Sequence, residues 1–144
     1  MSPNFNETHY CLVDNVIVEA QGDMEAILAK LRNIWSIRKT VDESGHVYKI
    51  GDFIVRIANL KHNENYNGIF IETEYLATVH PYASASLLNE FISLITPSKA
   101  VIEKWEPQSE QGGSYASVGL SETEFTDTHR AYQILMLLKK ENLL

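Results

Sequence analysis

The apolar positions change period repeatedly along the chain, and each change predicts a new kind of element. Tyr10 to Ala20 holds two short apolar runs, YCLV and VIVEA, split by Asp14-Asn15. That pair predicts a hairpin or a bulged strand. The period then lengthens: Ile27, Leu28, Leu31, Ile34 and Trp35 recur at helical spacing. Asp23 stands where its carboxylate can accept from the free amides of that helix's first turn. Alternation returns in SIRKTV and HVYKI, joined by Asp42-Glu43-Ser44-Gly45, which predicts another hairpin. Gly51-Asp52 turns the chain into a strand over Phe53 to Leu60. The polar stretch KHNENYN reads as a loop leading to Gly68 and a strand over Ile69 to Leu76.

Beyond Pro81 the helical period reappears in Leu87, Leu88, Phe91, Ile92 and Ile95. Ser84 or Ser86 lies near the start of that helix, and Thr96-Pro97 ends it. AVIEKW reads as a short strand or an arm, and residues from about 106 to 120 as a flexible loop. Ser121 and Glu124 have the spacing of a capping box before a closing helix. In that helix Phe125, Tyr132, Leu135, Leu138 and Lys139 keep helical spacing. Strands, a helix, four meander strands, a helix, a loop and a helix make an α+β fold. An open meander exposes its edges, so the expected form is an antiparallel β-barrel or strongly curled sheet flanked by helices, including the C-terminal one. Trp35 and Phe53 each sit on a periodic apolar face beside a turn, so both are expected in the core.

Composition narrows the functional classes. The 144 residues suit one domain, 1–144, and 44% hydrophobic against 22% charged residues is an ordinary globular balance. The net charge is -7, which repels phosphate backbones and makes nucleic acid an unsuitable direct partner. No apolar run reaches the roughly 18 residues of a membrane span. A polar N-terminus carries no signal-peptide pattern. One cysteine, Cys11, permits no internal disulfide and fits a reducing compartment.

The chief chemical signal is a pair of carboxylates. Glu72 and Glu74 alternate on one strand and point the same way. In triphosphate tunnel enzymes such glutamates hold a divalent metal inside a barrel, and a lysine two residues on meets phosphate. Here Leu76 occupies the lysine position, and the matching face of the preceding strand offers one base, Arg56. The reading favoured is a solvent face with cross-strand pairing of Arg56 to the glutamates. The histidines, His9, His46, His62, His80 and His129, lack ligand spacing and read as surface or loop residues. Cys11 reads as a small apolar strand residue. No phosphate loop, nucleophile elbow or HExxH motif occurs, so no catalytic, cofactor or metal residue is assigned. Tyr66, Tyr82 and Trp105 lie off the periodic faces, where aromatic residues serve as interface anchors or cover a core edge.

The stretch LRNIWSIRKTVDESGHVYKIGDFIVRIANLKHNENYNGIFIETEYL resembles the Mediator subunit 20 (TRF-proximal protein) family. So do LLNEFI in the second helix and AYQILMLLKK in the last, and the resemblance covers most of residues 10–142. It implies a non-enzymatic subunit of the Mediator head module, in the nucleus, with a β-barrel flanked by helices. It also implies pairing with the related barrel subunit 18, an indirect link through subunit 8 to the rest of the head, and contact with the RNA polymerase II machinery. Family members carry more chain before the first hairpin, so a short N-terminus and an incomplete barrel are expected here. A metal-dependent triphosphate hydrolase using Glu72 and Glu74 is the alternative.

Overall fold

The computed structural model describes residues 8–106 and 114–144. Strands β1 (Thr8–Val13) and β2 (Val16–Gln21) form the expected hairpin, with Val13 paired to Val16 across Asp14-Asn15. Asp14 takes φ +54°, a conformation that Asp tolerates better than most side chains. Cys11 pairs with Val18 and is a half-buried free thiol. Helix α1 covers Met24–Lys30, shorter than its apolar period, and a hydrogen-bonded turn continues it to Trp35. Asp23 stands at its N-cap, but its side chain makes no capping bond; the carbonyl of Asp23 accepts from Ile27 instead.

Strands β3 (Val41–Ile50), β4 (Phe53–His62) and β5 (Asn65–Tyr75) form an antiparallel meander. The hairpin expected at Asp42–Gly45 does not form. Those residues lie inside β3, opposite Ala58 to Lys61 of β4. Gly45 serves close approach rather than turning: a Cβ there would sit 1.9 Å from the carbonyl oxygen of Ile57. The expected polar loop also contracts to Asn63-Glu64, at φ +49° and +67°, the paired positive values of a type I′ turn. A bulge between Leu60 and Lys61 absorbs the register change, and Gly68 beside it takes φ +141°. At the other end Gly51, φ +57°, and Asp52 close the β3–β4 hairpin as expected.

Among the described residues these strands make two sheets, β1-β2 and β3-β4-β5, and no closed barrel. The physical reason lies in residues 36–40. The expected strand SIRKTV has no pairing partner, because β3 runs unbroken over ten residues and fills the β4 ladder. No ladder joins β2 to β3.

Helix α2 (Ala85–Ile95) begins after Ser84 and ends at Thr96, whose extended backbone precedes Pro97, as expected. It lies on one face of the meander, where Phe91 stacks on Phe53 with centroids 4.2 Å apart. Phe53 is half-buried there, but Trp35 is 55% exposed, so the expected burial of Trp35 is corrected. Every residue of the turn that carries it, 31–35, is exposed. Helix α3 (Asp127–Lys140) has its N-cap at Thr126, five residues beyond the expected Ser121. Ser121 does accept from the amide of Glu124, but the helix cap is Thr126 with His129. The core gathers Ile17 of β2, Tyr132 of α3, and Tyr115 and Val118 of a 3-10 turn over Tyr115–Val118. That turn falls within the stretch read as loop, whose residues 107–113 lie outside the described residues.

Candidate functional site

The carboxylate pair belongs to the face of the meander opposite α2. Register aligns Arg56 with Glu72 and Ile54 with Glu74. The Arg56 guanidinium donates to both carboxylates, at 3.3 Å to Glu72 and 3.1 Å to Glu74. The cross-strand pairing is the one expected from sequence, but the expected solvent face is corrected: Phe70 on the same side is buried, and α3 covers Glu72. A second base arrives from far along the chain. Arg130 of α3 donates through Nε and Nη2 to the two oxygens of Glu72, the latter at 3.0 Å. The bidentate geometry suits a planar guanidinium. Burial alone would lower the Arg130 pKa, but the Glu72 hydrogen bonds and charge raise it overall. Glu72 is only 14% exposed at its side chain, so its charge is held by these two bases rather than by water. The group ties α3 to β5. Among the described residues no cluster of three or more His, Cys, Asp or Glu is placed to hold a metal ion.

The three candidate anchors part company. Tyr82 packs against the core around Tyr115 and donates its hydroxyl to Glu122. The other oxygen of Glu122 accepts from the amide of Ala116 at 2.6 Å, so one carboxylate clips Tyr82 to the 3-10 turn. The Tyr82 hydrogen bond holds Glu122 below the usual carboxylate range, and burial followed by that bond pushes Tyr82 up to about 12. Trp105 lies edge-on to Tyr132 at 5.4 Å, and its indole N–H meets no acceptor among the described residues. Lys140 donates to the carbonyl of Lys104 at 2.8 Å, so residues 101–106 form an arm along α3 rather than a strand. Tyr66, at the start of β5, stays 65% exposed.

Sequence reading missed the centre of this core. Tyr115 is fully buried, its hydroxyl oxygen accepts from the side-chain amide of Gln133 at 2.6 Å, and burial pushes it up to about 12. The spacing of Tyr115, Val118 and Leu120 around Gly119 was the available signal. Gly119 ends the turn at φ +82°. His129 is 1% exposed, which corrects its assignment to the surface. Its Nδ1 accepts from the amide of Thr126, so Nε2 carries the hydrogen that it donates to the carbonyl of Ser121 at 2.7 Å.

The α2 side of the meander keeps a large exposed apolar surface. Alternation places Tyr48, Ile50, Ile57, Ile69 and Ile71 on the α2 side of the meander, and all five are more than a third exposed. An open hollow of about 420 Å³ lies among Tyr48, Ile57, Ile69 and His46. Strand β3 ends the ladder order, so one row of its backbone groups has no strand partner among the described residues.

These features define the class of the fold: an α+β chain with two antiparallel sheets and three helices, whose charged and aromatic groups join its elements and whose sheet leaves a broad apolar surface. The chain belongs to the Mediator subunit 20 family, since the family model described as TATA-binding related factor (TRF) of subunit 20 of Mediator complex matches residues 2–137. It is also similar to a Schizosaccharomyces pombe protein named Mediator of RNA polymerase II transcription subunit 20, at 25% identity over 92 residues. That alignment covers 63% of this chain and 47% of the relative, about half its length. No solved structure matches the chain significantly.

Proposed function

We propose that this chain is a non-enzymatic component of the Mediator complex, acting through protein–protein contacts in the regulation of RNA polymerase II transcription. The observation that carries this reading is the open meander: an edge at β3 with no strand partner among the described residues, beside exposed Tyr48, Ile57, Ile69 and Ile71. Exposed edges and apolar faces of this kind are ordinarily covered in a working assembly. Family membership and the name of the Schizosaccharomyces pombe relative support Mediator as that assembly. The further expectations follow from it: a place in the head module, residence in the nucleus, subunit 18 as direct partner and subunit 8 as indirect one. Barrel closure belongs to the same proposal, because among the described residues no strand pairs with the outer edge of β3. Tyr66 is the anchor best placed to enter such an interface, being exposed beside the bulge of β5. Tyr82 and Trp105 are proposed as supports of the core edge behind it.

The test is affinity capture of the tagged chain from nuclear extract, with identification of the chains that accompany it. Mediator subunits, subunit 18 among them, are expected. Recovery of the soluble chain without any Mediator subunit would overturn the reading. Co-expression with subunit 18 is expected to raise the melting temperature, because a partner that binds only the folded state stabilises it.

A further inference from the structure

The segment from Ala26 to Val41 differs in charge from the rest of the molecule. It contains Lys30, Arg32, Arg38 and Lys39 and no Asp or Glu, a net +4, so the remainder carries -11 of the chain's -7 total. None of these four bases makes an ion pair among the described residues; the Lys39 ammonium donates to the carbonyl of Asn142. The same segment exposes large apolar side chains. Amides of Leu31 and Trp35 donate to the carbonyls of Ile27 and Leu31, so Ile27, Leu31 and Trp35 follow one another up a single helical stripe. They are 51%, 39% and 55% exposed, and α1 buries none of its residues. Ile34 and Ile37 beside them are 82% and 80% exposed.

An apolar stripe bordered by unpaired bases has a complementary partner in chemical terms. We infer that Ile27–Lys39 is a docking surface for an acidic segment of another protein, one that sets Leu or Phe side chains among its Asp and Glu residues. The bases would meet the carboxylates, and Ile27, Leu31, Ile34 and Trp35 would meet the apolar side chains. Nucleic acid fits less well. It offers phosphates but no aliphatic groups for Ile34 and Ile37, and the surrounding charge opposes it. The inference adds a surface to the proposed function without resting on it, because purified chain alone suffices for the test.

The probe is a synthetic peptide with Leu and Phe spaced among Asp and Glu, titrated into the full chain carrying Trp105→Phe. Trp35 is then the sole indole. Binding is expected to shift its emission to the blue and to weaken as salt is raised. Reversing two charges, Arg32→Glu with Arg38→Glu, is expected to weaken binding about tenfold or more, read by anisotropy of a labelled peptide. Ile34→Ala with Ile37→Ala is expected to do the same, and both pairs are exposed, so folding is checked by an unchanged melting curve. A control peptide with Ala in place of Leu and Phe should bind at least about tenfold more weakly. The proposal is overturned if the peptide does not bind, if the alanine peptide or an oligothymidylate binds equally well, or if both variant pairs bind like the parent. It is also overturned, in favour of a second copy as occupant, if the chain self-associates in sedimentation and the charge reversal abolishes that.

Discussion

Glu72 joins three elements through one side chain, and its energetics follow from its burial. Surface ion pairs contribute about 0–1 kcal/mol, but removing one partner from a shielded pair leaves the other charge uncompensated. Glu72→Gln is therefore expected to cost about 1–3 kcal/mol in denaturant unfolding, between those limits. A double-mutant cycle with Arg130→Met should return a coupling above about 0.5 kcal/mol. Full additivity would show that the helix–sheet pair contributes nothing. Tyr82 and Tyr115 give a second expectation at this scale. Both are pushed up to about 12 in the folded chain, against 10 when unfolded. Folding therefore favours the neutral phenols; their contribution is complete below pH 10 and is lost as pH rises through about 12. An absorbance titration should show most tyrosines ionising first, and late tyrosinate formation coinciding with loss of circular dichroism. Tyr115→Phe should reduce that late amplitude, and an unchanged amplitude would assign it elsewhere.

At the scale of elements, periodicity identified faces but not what covers them. Phe53 and Trp35 make the contrast. Both sit on apolar faces legible in sequence, yet Phe53 stacks on Phe91 and Trp35 stands in water. Phe53→Ala should thus cost about 1–3 kcal/mol, less than a fully buried aromatic, and Trp35→Ala under about 0.5 kcal/mol, by the same unfolding measurement. Comparable losses at the two positions would contradict the placement of α1. The two-residue turns and α2 were legible because Gly51, Asp14-Asn15 and Thr96-Pro97 act locally. The reading failed at Gly45 and at KHNENYN, where ladder pairing with β4 overrode a turn-like composition. Arg130 was illegible for another reason: its partner is 58 residues away, and nothing in helical spacing points to a strand carboxylate.

At the scale of the molecule, the carboxylates of the would-be tunnel already have two guanidinium partners. Metal-dependent release of phosphate from ATP or inorganic triphosphate is expected to be absent, with or without Mn²⁺ or Mg²⁺. Release above background that is lost in Glu72→Ala would reverse that expectation and restore the hydrolase reading. The pairing of Glu72 and Glu74 with Arg56 was foreseeable from alternation; that β3 runs unbroken and fills the β4 ladder, leaving residues 36–40 outside any strand, was not.

The first hairpin has a consequence for how the protein is made. Ile17 of β2 is buried against Tyr115 and Tyr132, about a hundred residues further along. The meander closes through neighbours in sequence, and it can form while translation is still under way. The hairpin can pair as early, but its apolar side must wait for α3 to clear the ribosome before it finds its cover. During that interval a nascent chain shows Tyr10, Leu12 and Ile17 to solvent, so stalled or truncated products ending before Asp127 are the forms most exposed to chaperone capture and aggregation.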